Sequence, residues 1–337
     1  MKVVVAILNY NGVHWLEKFL FDVIEKSQQA EVVIIDNAST DNSVEFLKEK
    51  FPDIRIIQNA VNSGFAGGYN EGLKKIQADI YVLLNSDIEV TDGWLEPMLD
   101  VLENNPKVVA GQPKILAYNE KEKFEHAGAC GGYIDHLGYP FCRGRIFTET
   151  EVDQGQYDNL EKVFWATGAC LFIRAEKYWE AGGLDEHFFA HMEEIDLCWR
   201  LHNLNYDIIV NPASKVYHVG GGTLDYRNPR KTYLNFRNSL YAIHKNWGRG
   251  LLLAIFARLI LDGVAGIKFL IGGDFKHIWS IVKAHFDYYG HLSVLRKQRA
   301  QLKATNQPIN QLNGVLHKSI VWQFYIKKIQ RFKDLKF

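Results

Sequence analysis

The apolar run 80–84 stops abruptly at Asn85-Ser86-Asp87. A buried strand ends this way when its carboxyl end must hold something charged, and in an open α/β sheet ligands collect at that end. Asp87 facing a diphosphate is useful only with a divalent cation between them. Mg2+ or Mn2+ is shared by carboxylate and phosphate oxygens, whereas two bare anions repel. Asn, Ser and Asp also favour turns, and alone the segment reads equally as one. Further along, Glu193 and Glu194 open a helix that starts near Met192. A helix dipole favours anions in the first turn, which is a structural reason for both. The chemical reading is that one of them projects from the helix start as a general base. His218 follows a strand and precedes three glycines, a better place for a ligand than most lone histidines have. His187 and His191 have i,i+4 spacing, but His-Glu-x-x-His is absent and a zinc hydrolase is disfavoured.

These groups need a scaffold that brings distant parts of the chain to one rim. Strand signals at 3–8, 32–35, 54–57 and 80–84 alternate with helical stretches, the first marked by Val13, Leu16, Phe19, Leu20, Val23 and Ile24 on one face. The alternation predicts an α/β fold with a mostly parallel central sheet. Its strand ends present Asn9, Asp36 and Asn85 with Asp87 at one rim, where a nucleotide would sit. Asp36 can accept from a base N3–H, and Asn9 can bond base or ribose; helix capping or an Asx-turn is the plainer alternative for Asp36. Gly64, Gly67 and Gly68 make neither a dinucleotide fingerprint nor a Walker loop, which argues against a dehydrogenase and a nucleotide triphosphatase. Their segment reads as a loop close to a ligand, opening a helix at 66–70. Residues 119–160 read as an insertion or substrate-facing loop. The stretch 163–174 reads as two short strands around Ala166-Thr167-Gly168-Ala169, small enough to admit a sugar to the backbone or simply to pack tightly. A strand follows at 208–210, and Asp196 and Arg200 are spaced for an ion pair.

A chain of 337 residues has room for one large domain with an appendage, or for two. Cys130, Cys142, Cys170 and Cys198 are scattered and read as reduced thiols of a cytoplasmic protein. Residues 1–8 carry one basic group and no small-residue cleavage site, and read as a strand rather than a signal peptide. The net charge of zero hides an asymmetry. Residues 231–337 hold 18 Lys+Arg and 4 Asp+Glu, a net of +14, against −14 in the rest. Such a region suits an anionic surface. It shows no nucleic-acid-binding motif, and membrane lipid is the better fit. Arg258, Asp262 and Lys268 interrupt the apolar run 251–271, too much charge for a spanning helix. A helix lying in the membrane surface is expected there, with a helical subdomain packed on the core as the alternative.

Seven segments in order carry a resemblance: Val5-Ala6-Ile7-Leu8-Asn9-Tyr10-Asn11, Ile35-Asp36-Asn37-Ala38-Ser39-Thr40-Asp41, Asn62-Ser63-Gly64-Phe65-Ala66-Gly67-Gly68-Tyr69-Asn70, Leu84-Asn85-Ser86-Asp87, Thr167-Gly168-Ala169, 188–200 and His218. Together, over roughly residues 1–240, they resemble the family 2 glycosyltransferases of GT-A fold, particularly the bacterial rhamnosyltransferase-like branch. The resemblance implies a GT-A catalytic domain at 1–230, and the charge and apolar pattern beyond it read as a basic, helical, membrane-associating region at 231–337. It places Asp36 at the nucleobase with Asn9 nearby, and Asn62, Gly64, Asn70 and Asn85 along the donor site. Asp87 and His218 would hold Mg2+ or Mn2+. Glu194 would be the catalytic base, with Glu193 as the alternate. The implied reaction is inverting transfer of a sugar from a nucleotide-diphosphate donor, UDP- or dTDP-sugar favoured, to a saccharide or lipid-linked saccharide. That chemistry would serve cell-surface polysaccharide synthesis on the cytoplasmic face of the inner membrane. The family's metal motif often reads Asp-x-Asp; here its first position is Asn85, which brings no charge. That departure motivates one rival, a non-catalytic sugar-nucleotide or glycan-binding protein. Another, a sugar-1-phosphate nucleotidyltransferase, would need a basic glycine-rich loop after the first strand, and Asn9-Tyr10-Asn11-Gly12 is not one.

Overall fold

The computed structural model describes residues 1–220, 228–302 and 305–337. The glycine run after His218 lies partly outside them, from Gly221 on. Strand and helix alternate first: β1 (Val3–Asn9), α1 (Val13–Glu25), β2 (Glu31–Asp36), α2 (Ser43–Lys50), β3 (Arg55–Gln58), α3 (Gly64–Leu73), β4 (Ile80–Asn85), β5 (Ile88–Val90), α4 (Glu96–Asn104) and β6 (Val108–Ala117). Four short strands follow, β7 (Gly132–Asp135), β8 (Pro140–Cys142), β9 (Arg145–Ile146) and β10 (Glu149–Thr150). Then come β11 (Glu161–Val163), β12 (Cys170–Arg174), α5 (Ala175–Glu180), α6 (Glu193–Asn203) and β13 (Asp207–His218). The C-terminal part is α7 (Pro229–Asn246), α8 (Leu251–Ile271), α9 (Phe275–Gly290), α10 (Leu292–Leu302), β14 (Val315–Leu316) and α11 (Ile320–Tyr325).

Among the described residues nine strands form the central sheet, ordered β11-β13-β6-β12-β4-β1-β2-β3, with β5 laid against β13. β1, β2, β3 and β4 run parallel, as do β6 and β13, while β12 runs antiparallel between β4 and β6. The carboxyl ends of β1, β2, β4 and β13 therefore share one rim. Side-chain alternation divides the core between the two faces. Val4 and Ala6 of β1 meet Tyr69 and Leu73 of α3, while Val3, Val5 and Ile7 meet Leu16 and Leu20 of α1. This is the α/β arrangement that the hydrophobic alternation predicts.

Three stretches differ from their sequence reading. Residues 119–160 are no mere insertion, because β7 to β10 build a second sheet completed by β14, which pairs parallel to β7. The two short strands expected in 163–174 are β11 and β12, with β13 and β6 between them in the sheet. The helix expected at 66–70 spans the ten residues of α3, and the strand expected at 208–210 the twelve of β13, bent by two register shifts. All four cysteines are buried free thiols.

The C-terminal helices are joined to the sheet domain through buried charge. The ion pair expected of Asp196 and Arg200 is present, at 2.9 Å from Arg200 Nε. Two α7 groups enlarge it: Lys245 Nζ donates to Asp196 Oδ2 at 2.8 Å and Asn246 Nδ2 to Oδ1 at 2.7 Å. No helix among the described residues is long and apolar enough to cross a membrane. Asp196 is fully buried and faces two buried cations, so removing it leaves both without compensation. Asp196→Ala is expected to lower the unfolding free energy by about 3–5 kcal/mol, read as a fall in the urea midpoint.

Candidate active site

Asp87 and His218 reach the rim from β4 and β13, more than a hundred residues apart. Pairing of His218 with Ile88 in the β13–β5 ladder brings the imidazole to the Asp87 turn, and Val219 N–H donates to Asp87 O at 3.1 Å. His218 Nε2 then lies 3.2 Å from Asp87 Oδ1 and 3.4 Å from the Asn85 amide nitrogen. Behind the ring, Glu125 Oε2 stands 3.5 Å from Nδ1. Burial opposes the imidazolium, but the Glu125 and Asp87 carboxylates outweigh it and lift His218 to about 10. Burial also works against the Asp87 carboxylate, and hydrogen bonding to His218 overcomes it, holding Asp87 below the usual range. No group of three or more His, Cys, Asp or Glu among the described residues is set to hold a metal. The Asp87–His218 pair nevertheless fits a Mg2+ or Mn2+ site of the kind completed by substrate phosphates and water. Glu125 fits the carboxylate that orients a ligating histidine from behind. Sequence reasoning missed Glu125, since nothing in Phe124-Glu125-His126 distinguishes it from a surface acid.

The loops after β1, β2 and β3 are sewn together by amides. Asn9, fully buried, donates from Nδ2 to Asp36 Oδ1 at 3.2 Å and to Ser39 Oγ at 3.1 Å, while its own Oδ1 is buried without a partner. Asp36 also accepts from Ser39 N–H at 3.1 Å. Its carboxylate thus organises the loop that begins at the end of β2. Asn37 Nδ2 donates to Asn62 Oδ1 and to Gly64 O, both at 3.0 Å, and Asn62 Oδ1 also accepts from Gly64 N–H at 2.9 Å. Gly64 has φ +77°, and a Cβ there would sit 2.7 Å from the Phe189 ring and carbonyl oxygen; glycine is required on both counts. The Asn70 amide is wholly engaged, donating to Leu184 O and Glu186 Oε1 and accepting from Tyr178 Oη and Leu184 N–H. In this structure Asn62, Gly64 and Asn70 act on protein loops, two of them directly on 184–189.

That segment leads into Glu193 and Glu194. Phe189, His191 and Met192 all have left-handed backbone, with φ of 65°, 68° and 73°. Each is unfavourable for a side chain of that size. The buried amide of Asn238 on α7 holds them, donating to Phe188 O, Ala190 O and His191 O at 3.1, 2.9 and 2.7 Å. Arg237 donates to His187 O and Phe188 O at 3.0 Å and to Asn238 Oδ1 at 2.9 Å. His187 Nδ1 lies 2.9 Å from Asp185 Oδ1. Sequence reasoning missed Arg237 and Asn238, which carry no motif of their own.

Glu193 is buried and Glu194 half-buried, and each has an Oε2 without a hydrogen-bond partner. Burial pushes the Glu194 carboxyl up to about 7, partly offset by backbone N–H groups at the helix start. Burial, then the charge of Glu194, pushes Glu193 well above the usual carboxylate range. Gly168 packs beside Glu194: a Cβ on it would lie 3.8 Å from Glu194 Cβ and 3.1 Å from the Phe65 ring. The next residue, Ala169, accepts from Asn85 N–H at 2.9 Å. The turn 167–169 therefore carries the β4 end on one side and Glu194 on the other. A carboxyl with a pKa near neutrality and the Asp87–His218 pair thus flank one turn at the sheet rim.

Comparison with known proteins agrees with this geometry. The family described as Glycosyl transferase family 2 matches residues 4–177. The N-acetylglucosaminyl-diphospho-decaprenol L-rhamnosyltransferase of Mycobacterium tuberculosis is 24% identical over 267 residues, 73% of this chain and 86% of that protein. Among solved structures, GalNAc-T7 with UDP, GalNAc and Mn2+ aligns at a TM-score of 0.56 and 15% identity, covering 74% of this chain. The chain spans about half of that protein, 49%. The mannosyltransferase PcManGT of Pyrobaculum calidifontis, in complex with GDP-Man and Mn2+, aligns at 0.51 and 14% identity over 89% of this chain and 87% of its own. At such identities the structures speak for a shared GT-A fold.

Asn238→Ala would remove the Asn238 donor from Ala190 O and His191 O, while Phe188 O keeps Arg237, at an expected cost of about 1–3 kcal/mol in unfolding free energy. Amide exchange should rise over residues 186–195 while β1 and β4 keep their protection. Uniform loss of protection across the sheet would contradict a local clamp.

Proposed function

The chain belongs to glycosyl transferase family 2, in its rhamnosyltransferase-like branch, and from that premise we propose an inverting, metal-assisted transfer. The donor is a nucleotide-diphosphate sugar, UDP- or dTDP-linked, and the acceptor a saccharide or lipid-linked saccharide destined for the cell surface. One observation carries the reading: Glu194 stands across Gly168-Ala169 from the Asp87–His218 pair.

In this reading residues 1–230 perform the chemistry. Asp36 and Asn9 shape the pocket of the base, and the loop 62–70 with Asn85 borders the sugar diphosphate. Asp87 and His218 hold Mg2+ or Mn2+, which when bound offsets the charge that gathers on the departing diphosphate. His218 must give up its Nε2 proton to ligate, with Glu125 keeping the ring oriented through Nδ1. Glu194 takes the proton of the acceptor hydroxyl. The hydroxyl oxygen bonds to C1 from the face opposite the nucleotide, the bond from C1 to the diphosphate oxygen breaks, and the anomeric centre inverts. A base near neutrality suits this proton transfer, and Glu193 stays protonated because burial and the Glu194 charge disfavour a second anion beside it.

Residues 231–337 are the membrane-associating part, placing the enzyme peripherally on the cytoplasmic face of the inner membrane. The relative with a diphospho-decaprenol acceptor supports a lipid-linked substrate, and the net charge of +14 supports an anionic surface. Asn85 favours a second reading, a binder of sugar nucleotides without turnover, because it brings no charge beside Asp87.

Calorimetric titration of UDP and dTDP, each with Mn2+ and again with EDTA, tests the donor site. Binding of one nucleotide is expected only with metal, and Asp87→Ala should weaken it at least about tenfold. Equal binding in EDTA would sink the metal assignment. Glu194→Gln separates enzyme from binder: nucleotide affinity should persist while kcat falls by about 10²–10⁴, and wild-type kcat/KM should climb with pH to a plateau above about 7. The same substitution has a signature in stability. The folded Glu194 pKa lies above its ordinary 4.5, so this group's contribution is fully present below 4.5 and lost as pH rises through about 7. Glu194→Gln should therefore be more stable than wild type at pH 8, with that advantage gone at pH 4.

A further inference from the structure

The polarity of α8 is inside out. Its central charges face inward: Arg258 and Asp262 are 4% and 0% exposed. Arg258 Nε donates to Asp262 Oδ1 at 2.8 Å, and His285 of α9 meets Asp262 Oδ2 at 3.1 Å. The guanidinium lies over the Tyr139 ring beside β8, 3.9 Å from its centroid. At 100° per residue, Phe256, Ile260, Val264, Ile267 and Ile271 fall on the opposite side of the helix. All five are between 52% and 84% exposed. A helix facing water has the reverse pattern. The apolar surface continues onto α9 through Phe275 and Trp279, 67% and 68% exposed. It is far more than the scattered apolar residues of an ordinary surface.

We propose that this outward face of α8, continued by α9, is a docking surface that inserts into the interfacial layer of an anionic lipid bilayer. The inference rests on the reading of 231–337 as membrane-associating and names the face responsible. Charge selects the occupant. The exposed charges along α8 and α9 are Lys268, Lys276 and Lys283 against Asp274, within a region of net +14, so an anionic leaflet complements the rim of this face whereas a second copy would bring like charges together. Lys268, Lys276 and Lys283 are exposed along the two helices, placed to meet headgroups while the apolar side chains enter the acyl boundary. Trp279 has the mixed apolar and hydrogen-bonding character that favours such an interface. The Arg258–Asp262–His285 cluster ties α8 to the protein, so the helix lies along the surface instead of crossing.

The test uses the full chain with vesicles of phosphatidylcholine, with and without phosphatidylglycerol. Wild type should co-sediment with the anionic vesicles, and the double variant Phe256→Glu/Ile260→Glu should partition at least about tenfold less. Acyl-brominated lipids should quench part of the tryptophan emission, and Trp279→Phe should lose that part, a readout that does not depend on the double variant folding. Unchanged vesicle binding by a folded double variant overturns this face while leaving membrane association intact. Binding of wild type to neither vesicle overturns both. Self-association abolished by the double variant, with no vesicle binding, overturns the proposal in favour of a second copy. Nucleotide titration of the same variant reports separately on the catalytic reading, and unaltered affinity is expected.

Discussion

The site depends on one side-chain amide. Asn238 donates to the carbonyl oxygens of Phe188, Ala190 and His191, in a segment where Phe189, His191 and Met192 are held in left-handed backbone. Such a residue costs about 1–3 kcal/mol, so three within four positions would relax without a clamp. Relaxation would be felt at once by Glu193 and Glu194, which follow Met192 directly. It would be felt equally by the loop after β3 and by α3, because Gly64 fits against Phe189 and Asn70 grips Leu184 and Glu186. The clamp thus sets the distance between the loop after β3 and the start of α6.

With the backbone fixed, the two halves of the rim treat buried charge in opposite ways. At the β13 end, Glu125, His218 and Asp87 are arranged anion, cation, anion, and each stabilises the charged form of its neighbour. At the start of α6 two carboxyls are buried side by side with no cation, and both are driven toward the neutral form. Environments that push titratable groups apart in this way divide acid, base and electrostatic roles among chemically similar residues. The division needs the turn 167–169 between them: Thr167 is anchored by its N–H to Gln112 Oε1 at 2.9 Å, and Gly168 leaves room for Phe65 and Glu194.

What the sequence made legible follows from where its signals come from. Unbroken apolar runs report strands buried on both faces of a sheet, so β1, β2 and β4 and the residues at their ends, Asn9, Asp36 and Asn85, are readable. The Asp196–Arg200 pair was readable because i,i+4 spacing is local. Glu125 and Asn238 were not, because their importance lies in partners 93 and about 50 residues away, Glu125 with His218 and Asn238 with 188–191. A polar residue mid-helix looks like a solvated face until the fold buries it. The second sheet escaped for the same reason: β9 and β10 are two residues long, too short for any period, and β14 arrives from the far end of the chain. Asn62, Gly64 and Asn70 were recognised through motif resemblance, and the motif did not reveal that their amides and backbone brace neighbouring loops.

Charge in the apolar run of α8 was read as an obstacle to crossing a membrane, and that holds. Arg258 and Asp262 nevertheless face inward, so their effect is to leave the opposite side of the helix purely apolar. The region 231–337 is no detachable tail. Lys245 and Asn246 complete the ion network of α6, Asn238 clamps the segment before it, and β14 is a strand of the second sheet. Truncating at 245 would remove two buried partners of Asp196 and that strand along with α8, so a loss of membrane binding would be indistinguishable from a loss of folding. Exposed side chains on the outer face of α8 contribute little to the fold and can be changed singly. Substitutions there leave α7 untouched, which packs on α8 and α9 on one side and holds the segment 188–191 through Asn238 on the other.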